Sequence, residues 1–167
     1  AILRLVGRLG GLVGSDVWEQ SQVDELLEQT MDMRNEITRL TYGNTPESFA
    51  ASRETFCREN LCYYFGAFEK WLTLRSSSSS STSFVGCDVT VADLAIFDVV
   101  EVGVELMKPF IDASTQYPLL AKHSQWIRLH PRLVAYFSSP LHELPFNNKV
   151  ALWGSEPRCK SGEPSSL

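Results

Sequence analysis

The run Val23-Asp24-Glu25-Leu26-Leu27-Glu28-Gln29-Thr30-Met31-Asp32-Met33-Arg34-Asn35-Glu36-Ile37-Thr38-Arg39-Leu40-Thr41-Tyr42 is the longest unbroken helical pattern in the chain. At about 100° per residue, Val23, Leu26, Leu27, Thr30, Met33, Ile37 and Thr41 fall on one side, with Met31 and Leu40 at its edges. That stripe predicts a core-facing helix. Asp32 lies roughly opposite Val23, and Glu25, Glu28, Glu36 and Arg39 spread over the same outer side. On composition alone this is a solvated face with i,i+4 charge spacing. Arg34 falls inside the apolar stripe, where a guanidinium requires a partner or an interface.

The flanking sequence reads as further helices. Ala1 to Leu9 has apolar positions 2, 3, 5, 6 and 9 and stops at Gly10-Gly11, a helix-ending signal. Leu12 to Glu19 reads as a connector in which Gly14 breaks the pattern and Ser15 or Asp16 caps the long helix. After Tyr42, Gly43 reads as the C′ residue, Thr45 as an N-cap and Pro46 as N1, so an antiparallel helical hairpin is expected. From Pro46 to about Leu74 the apolar positions are Phe49, Phe56, Leu61, Tyr64, Phe65, Phe68, Trp71 and Leu72, a spacing that marks core aromatics. Arg75 to Ser83 holds six consecutive serines, Ser76 to Ser81, and reads as a flexible polar loop.

The clearest local pattern follows in Val89-Thr90-Val91-Ala92-Asp93-Leu94. The Thr90 hydroxyl can accept from the Asp93 N–H while the Asp93 carboxylate reaches back to the Thr90 N–H, a capping box, with Val89 and Leu94 at the positions of a hydrophobic staple. Thr90 and Asp93 are therefore read as structural. A helix from about Thr90 to Met107, apolar on nearly every side, should be central and buried. Pro109 ends it, Tyr117-Pro118 starts another to about Leu129, and Pro131 starts a short one to about Ser138. Pro140 to Leu167 is expected to be an extended tail.

The chain has 167 residues, 44% hydrophobic and 21% charged, enough for one full core. All-α is the expected fold class. A net charge of −5, with no run of lysines and arginines, argues against nucleic acid or an anionic membrane surface as partner. The most apolar stretch, Val89 to Met107, is interrupted by Asp93, Asp98, Glu101 and Glu105, so no membrane span is expected. Cys57, Cys62, Cys87 and Cys159 form no C-x-x-C pair or zinc spacing and read as reduced thiols. A soluble cytoplasmic protein follows. No phosphate loop, metal-spaced carboxylate pair or nucleophile–base set is present, and no metal is expected. His123, His130 and His142 read as surface or helix-end residues. The chain begins at Ala1, without Met and inside a helical pattern, and so reads as part of a longer protein.

Several stretches resemble the glutathione transferases, most closely the mu class: Ala1-Ile2-Leu3-Arg4, Gly11-Leu12-Val13-Gly14, Val23-Asp24, Glu28-Gln29-Thr30-Met31-Asp32, Tyr42, Val85-Gly86 to Asp93, Tyr117-Pro118-Leu119-Leu120, and Lys149-Val150-Ala151-Leu152-Trp153-Gly154. Together they span residues 1 to about 154. The capping box is common to nearly all classes, whereas Q-T-M-D and K-x-A-x-W-G are particular to mu. The resemblance implies a glutathione-transferase helical bundle at residues 15–148. Residues 1–14 would be the remnant, or last helix, of a thioredoxin-like N-terminal domain, and 149–167 an extended C-terminal tail.

It further implies conjugation of the glutathione thiolate to small hydrophobic electrophiles, as in detoxification, by a homodimer with glutathione as co-substrate and no cofactor. The main catalytic tyrosine, and a Gln-Ser pair holding the γ-glutamyl group, would lie before Ala1, leaving this segment inactive alone. By the same resemblance Asp32 reaches the neighbouring subunit's glutathione, Arg4 and Asp32 lie at the dimer interface, and the Tyr42 hydroxyl binds and assists the electrophile. The serine loop is longer and more polar than the family's usual connection, and the chain runs past Gly154 to Leu167. The competing expectation is a non-catalytic transferase-like helical module for protein–protein interaction.

Overall fold

A computed structural model describes residues 2–76 and 82–158. Among them there is no strand. The helices are α1 (Ile2–Leu9), α2 (Val17–Tyr42), α3 (Pro46–Phe56), α4 (Cys62–Ser76), α5 (Val91–Met107), α6 (Ala113–Gln116), α7 (Pro118–Arg128) and α8 (Val134–Phe137), with a π-helical turn at Cys57–Leu61 joining α3 to α4.

The long helix begins six residues before the apolar pattern. Asp16 caps it by accepting from the Glu19 N–H at 2.8 Å, while Glu19 accepts from the Ser15 N–H and hydroxyl, each at 2.7 Å. This reciprocal pair stops the connector at Asp16. At the other end Gly43 is the cap, with φ −94° rather than the left-handed conformation of a C′ glycine. Thr45 and Ser48 form a capping box that starts α3 at Pro46.

In α2 the buried residues are Val23, Leu26, Leu27, Thr30, Met33, Ile37, Leu40 and Thr41. Past Thr30 the buried side rotates toward Leu40 and leaves Met31 half exposed. The same rotation corrects the expectation for Arg34, which sits at the border of the stripe, exposed, and ion-pairs with Asp98 of α5. The antiparallel course of the next helices against α2 shows in Asn60, whose amide donates to Glu36 at 2.8 Å.

The π turn absorbs one extra residue, so Cys57 and Leu61 both face inward and hand over to Phe65, Phe68 and Leu72 of α4. An uninterrupted aromatic spacing does not reveal it. α5 is the central helix, burying Ala92, Ala95, Ile96, Val99, Val100, Gly103, Leu106 and Met107 among others. At Gly103 it meets α2 and α4 so closely that a Cβ would stand 2.8 Å from Phe65 Cε2 and 3.1 Å from Met33 Cε.

Ser77 to Ser81 of the expected serine loop, and the tail from Cys159 onward, lie outside the described residues. The loop's flanks are fastened: Arg75 Nε donates to Ser83 O at 3.1 Å, and Trp71 Nε1 to Phe84 O at 2.9 Å. Asp112 caps α6 through the Ser114 and Thr115 N–H groups, a short helix not anticipated between Pro109 and Tyr117. Residues 140–158 contain no helix and run in turns back across the end of α2, where the Leu152 N–H donates to Thr41 O at 2.9 Å.

Candidate functional site

The structure sorts the sequence-predicted residues into three places. The first is the outer side of α2, where Arg4 from α1 donates through Nε to Asp24 Oδ1 at 2.6 Å and ion-pairs with Glu28. Asp24, Glu28 and Asp32 are successive four-residue steps, so Asp32 continues this acidic row one turn beyond the arginine. Asp32 is exposed. Burial raises the pKa of the Tyr64 phenol on α4, and the Glu36 and Asp32 carboxylates push it the same way. Next to Tyr64 in sequence, Tyr63 is 70% exposed.

The second place is the stripe Met31, Asn35, Thr38 and Tyr42, all exposed, which the helical period puts on one side of α2. Tyr42 closes it. The residue is 38% exposed, and its hydroxyl donates to Asn147 Oδ1 at 3.3 Å while accepting from the Asn148 N–H at 3.2 Å. An O–H that accepts from an amide becomes a better donor, because the two bonds polarise each other. The Tyr42 hydroxyl is thus polarised as a donor toward Asn147. Asp32 and Tyr42 are ten residues apart, about 15 Å along the helix, and do not converge on one ligand atom within this chain. Met31 and Thr38 did not emerge as candidates from sequence, because hydropathy alone puts Met31 at the edge of the core.

The third place is buried. Asp93 is wholly enclosed: Oδ2 accepts from the Thr90 N–H at 2.8 Å and hydroxyl at 2.6 Å, and Oδ1 from the Phe84 N–H at 2.7 Å. The capping box is present as expected. The fourth partner is His123, whose Nε2 lies 3.1 Å from Asp93 Oδ1 and whose ring packs edge-on against Phe84. This corrects the surface reading of His123, which is 1% exposed. Its signal was its place on the inner side of α7 with Leu120 and Ile127. With every oxygen of Asp93 engaged, this cluster holds segments together and has no free atom for chemistry.

No group of three or more His, Cys, Asp or Glu side chains among the described residues is arranged to hold a metal ion. Between α1 and α2 lies a recess of about 30 Å³ lined by Arg4, Val23, Asp24 and Leu27, room for about one water. A ligand-sized cleft needs roughly ten times that volume. An open depression of about 300 Å³ lies between Glu36, Arg39, Leu40, Asn44, Phe56 and Asn60, and the exposed stripe ending at Tyr42 lines neither hollow.

A family model described as "Glutathione S-transferase, C-terminal domain" matches residues 31–140. The bovine glutathione S-transferase P is 30% identical over 143 residues, 85% of this chain and 63% of that protein. The human glutathione S-transferase Mu 3 is 26% identical over 160 residues, 95% of this chain and 65% of that one. The fold recurs in the Pi-class glutathione S-transferase of Onchocerca volvulus, with a TM-score of 0.74 at 22% identity over 90% of this chain and 68% of that one. It recurs also in the glutathione S-transferase Blo t 8, at 0.79 and 18% over 92% and 68%. All-helical, with a capped central α5, the chain has the architecture of a transferase helical domain. It belongs to the glutathione S-transferase family, and it spans a little under two thirds of the length of the curated relatives it matches.

Proposed function

We propose that the intact protein is a cytoplasmic, homodimeric glutathione transferase that joins the glutathione thiolate to hydrophobic electrophiles, and that this chain supplies the electrophile-site wall and part of the dimer surface. The observation that carries the reading is the exposed stripe of α2 ending in a tyrosine hydroxyl already polarised by the Asn148 N–H. When a thiolate adds to an epoxide or enone, negative charge develops on the electrophile's oxygen. A donor aimed there acts more strongly on the transition state than on the bound substrate. Tyr42 takes that role by exchanging its bond to Asn147 for one to the reacting oxygen.

Residues 15–148 form the helical domain in this reading, with 149–167 as its tail. Residues 1–14 end a thioredoxin-like glutathione-binding domain. The exposed apolar side of α1 supports this, since Ile2, Leu5, Val6 and Leu9 are each more than half open to solvent and call for a covering surface. Asp32 serves the neighbouring subunit by accepting from the glutathione amine, and Arg4, fixed by Asp24 and Glu28, stands near the two-fold axis. Within the family we favour the mu class on Gln29 to Asp32 and Lys149 to Gly154.

Calorimetric titration of glutathione into the full-length protein, with sedimentation of the same sample, tests this reading. A dimer whose glutathione affinity falls about tenfold on Asp32→Asn, the loss of one charge-assisted bond, is expected. A monomer, or an affinity indifferent to Asp32, contradicts it and favours a binding module.

A further inference from the structure

Residues 143–158 fold into a loop closed on itself. The Arg158 N–H donates to Glu143 O at 3.0 Å, the Asn147 N–H to Gly154 O at 2.8 Å, and Asn147 Nδ2 to Trp153 O at 2.9 Å. One side of this loop brings Asn147 and Asn148 to the Tyr42 hydroxyl. Its base is gathered by a single side chain. Arg158 Nε donates to Leu144 O at 2.9 Å, and the guanidinium lies 4.2 Å from the centre of the Phe146 ring, which in turn stacks on Trp153 at an 8° interplanar angle. Arg158 Nη1 is 3.4 Å from His142 Nδ1 and 3.9 Å from Glu101 Oε2 on α5.

Glu101 is a fitting anchor. Its side chain is only 14% exposed, and it is paired as well with Arg128, whose guanidinium lies over Phe97 and Phe137. Burial raises the Glu101 carboxyl, and the guanidinium groups of Arg128 from α7 and Arg158 from the loop oppose that rise. Loss of Arg158 still leaves Glu101 its partner Arg128. The latch can therefore be released without orphaning a buried charge.

We propose that Arg158 is a positioning residue for Tyr42: seated on Glu101 and Phe146, it holds the 143–158 loop where Asn147 and Asn148 meet the tyrosine hydroxyl. The kinetic part of this inference rests on the electrophile-site reading of Tyr42, whereas the latch itself does not. Three kinds of contact converge on the Arg158 side chain: an ion pair to α5, a ring face, and the Leu144 carbonyl within the loop. Arginine alone supplies all of these together, through a planar charged fork that stacks and donates at once. Lysine keeps only the charge.

Hydrogen-exchange mass spectrometry of the full-length protein tests the latch. In Arg158→Gln, the amides of Asn147, Asn148 and Leu152 should exchange about tenfold faster, with the α5 amides at Asp93 and beyond unchanged, and Arg158→Lys should recover part of the protection. Loop amides at the wild-type rate, or acceleration shared equally by α5, would overturn it. In the assembled enzyme, with an epoxide as substrate, Arg158→Gln should shift kcat and KM in the same proportions as Tyr42→Phe, and the double variant should add nothing further. Additive effects would refute positioning. Fast loop exchange in Arg158→Gln, alongside a wild type that turns over no electrophile, would uphold the latch and sink the transferase reading instead.

Discussion

His123 Nε2 lies 3.1 Å from Asp93 Oδ1, with both side chains closed off from solvent. The helix cap of α5 is thereby tied to α7, and through the Phe84 N–H to the segment that precedes it. An exposed cap contributes about 1 kcal/mol. Here, removal of the carboxylate leaves the Phe84 N–H, the Thr90 N–H and an imidazole buried without their acceptor. Asp93→Ala should cost about 3–5 kcal/mol, read as a fall in the urea midpoint. His123→Phe keeps a ring against Phe84 and Trp126 and removes one donor, so about 1–2 kcal/mol is expected. If Asp93→Ala costs no more than His123→Phe, the cluster is not the junction described.

Gly103 marks the tightest approach in the core. Alanine there would normally favour the helix by up to about 1 kcal/mol, but its methyl would stand 2.8 Å from Phe65 Cε2 and 2.9 Å from Cζ, both in a ring that is 1% exposed. The clash outweighs the propensity. Gly103→Ala should destabilise by about 1–3 kcal/mol, whereas Gly66→Ala, where nothing lies within 4 Å of an added Cβ, should be neutral or stabilising. Thermal melts of the two variants separate these outcomes, and equal melting temperatures would argue against the α2–α4–α5 packing.

Burial pushes the Cys57 thiol up to about 11, and its Sγ faces Leu106 O at 3.5 Å. Burial raises Tyr117 likewise. Both groups hold their protons more tightly in the fold than in the unfolded chain. Their contribution is therefore complete below pH 9 and is lost as pH rises through the folded values. Stability should fall between about pH 9 and 11, and less steeply in Cys57→Ala. A thiol reagent at pH 8 should modify exposed Cys87 well before Cys57. Prompt labelling of Cys57 in the native protein would contradict its burial.

What was legible in the sequence was local. Thr90 and Asp93 are three residues apart, and the α2 stripe repeats at the helical period, so hydropathy and spacing sufficed for both. Asp93 and His123 are thirty residues apart, and no local rule joins a carboxylate at a helix start to an imidazole in mid-helix. The need of Arg34 for a partner was readable, but not that rotation of the buried side would place it at the border beside Asp98. The π turn at Cys57–Leu61 hides within an unbroken aromatic spacing. The 143–158 loop has no period at all: its order comes from Asn147, Trp153 and Arg158 bonding across it, and its meeting with Tyr42 spans more than a hundred residues. Tyr42 became a candidate through family resemblance, and the exposure of Met31 and Thr38 on the same side of α2 came only from the structure.

The proposed conjugation depends most directly on the Tyr42 hydroxyl as a donor to developing negative charge. Phenylalanine at this position keeps the ring and deletes that donor, together with the bonds to Asn147 and Asn148. The decisive measurement is glutathione-dependent turnover of an epoxide or enone by the full-length protein and by Tyr42→Phe, with an alkyl halide, whose displacement puts the developing charge on the departing halide and not on an oxygen, as control. Saturable conjugation by the wild type is expected, with a loss of about 10–100-fold in kcat/KM for the epoxide or enone in Tyr42→Phe and the alkyl halide spared. Turnover of the epoxide or enone at the wild-type rate by Tyr42→Phe, or no glutathione-dependent turnover by the wild type, would contradict the proposal.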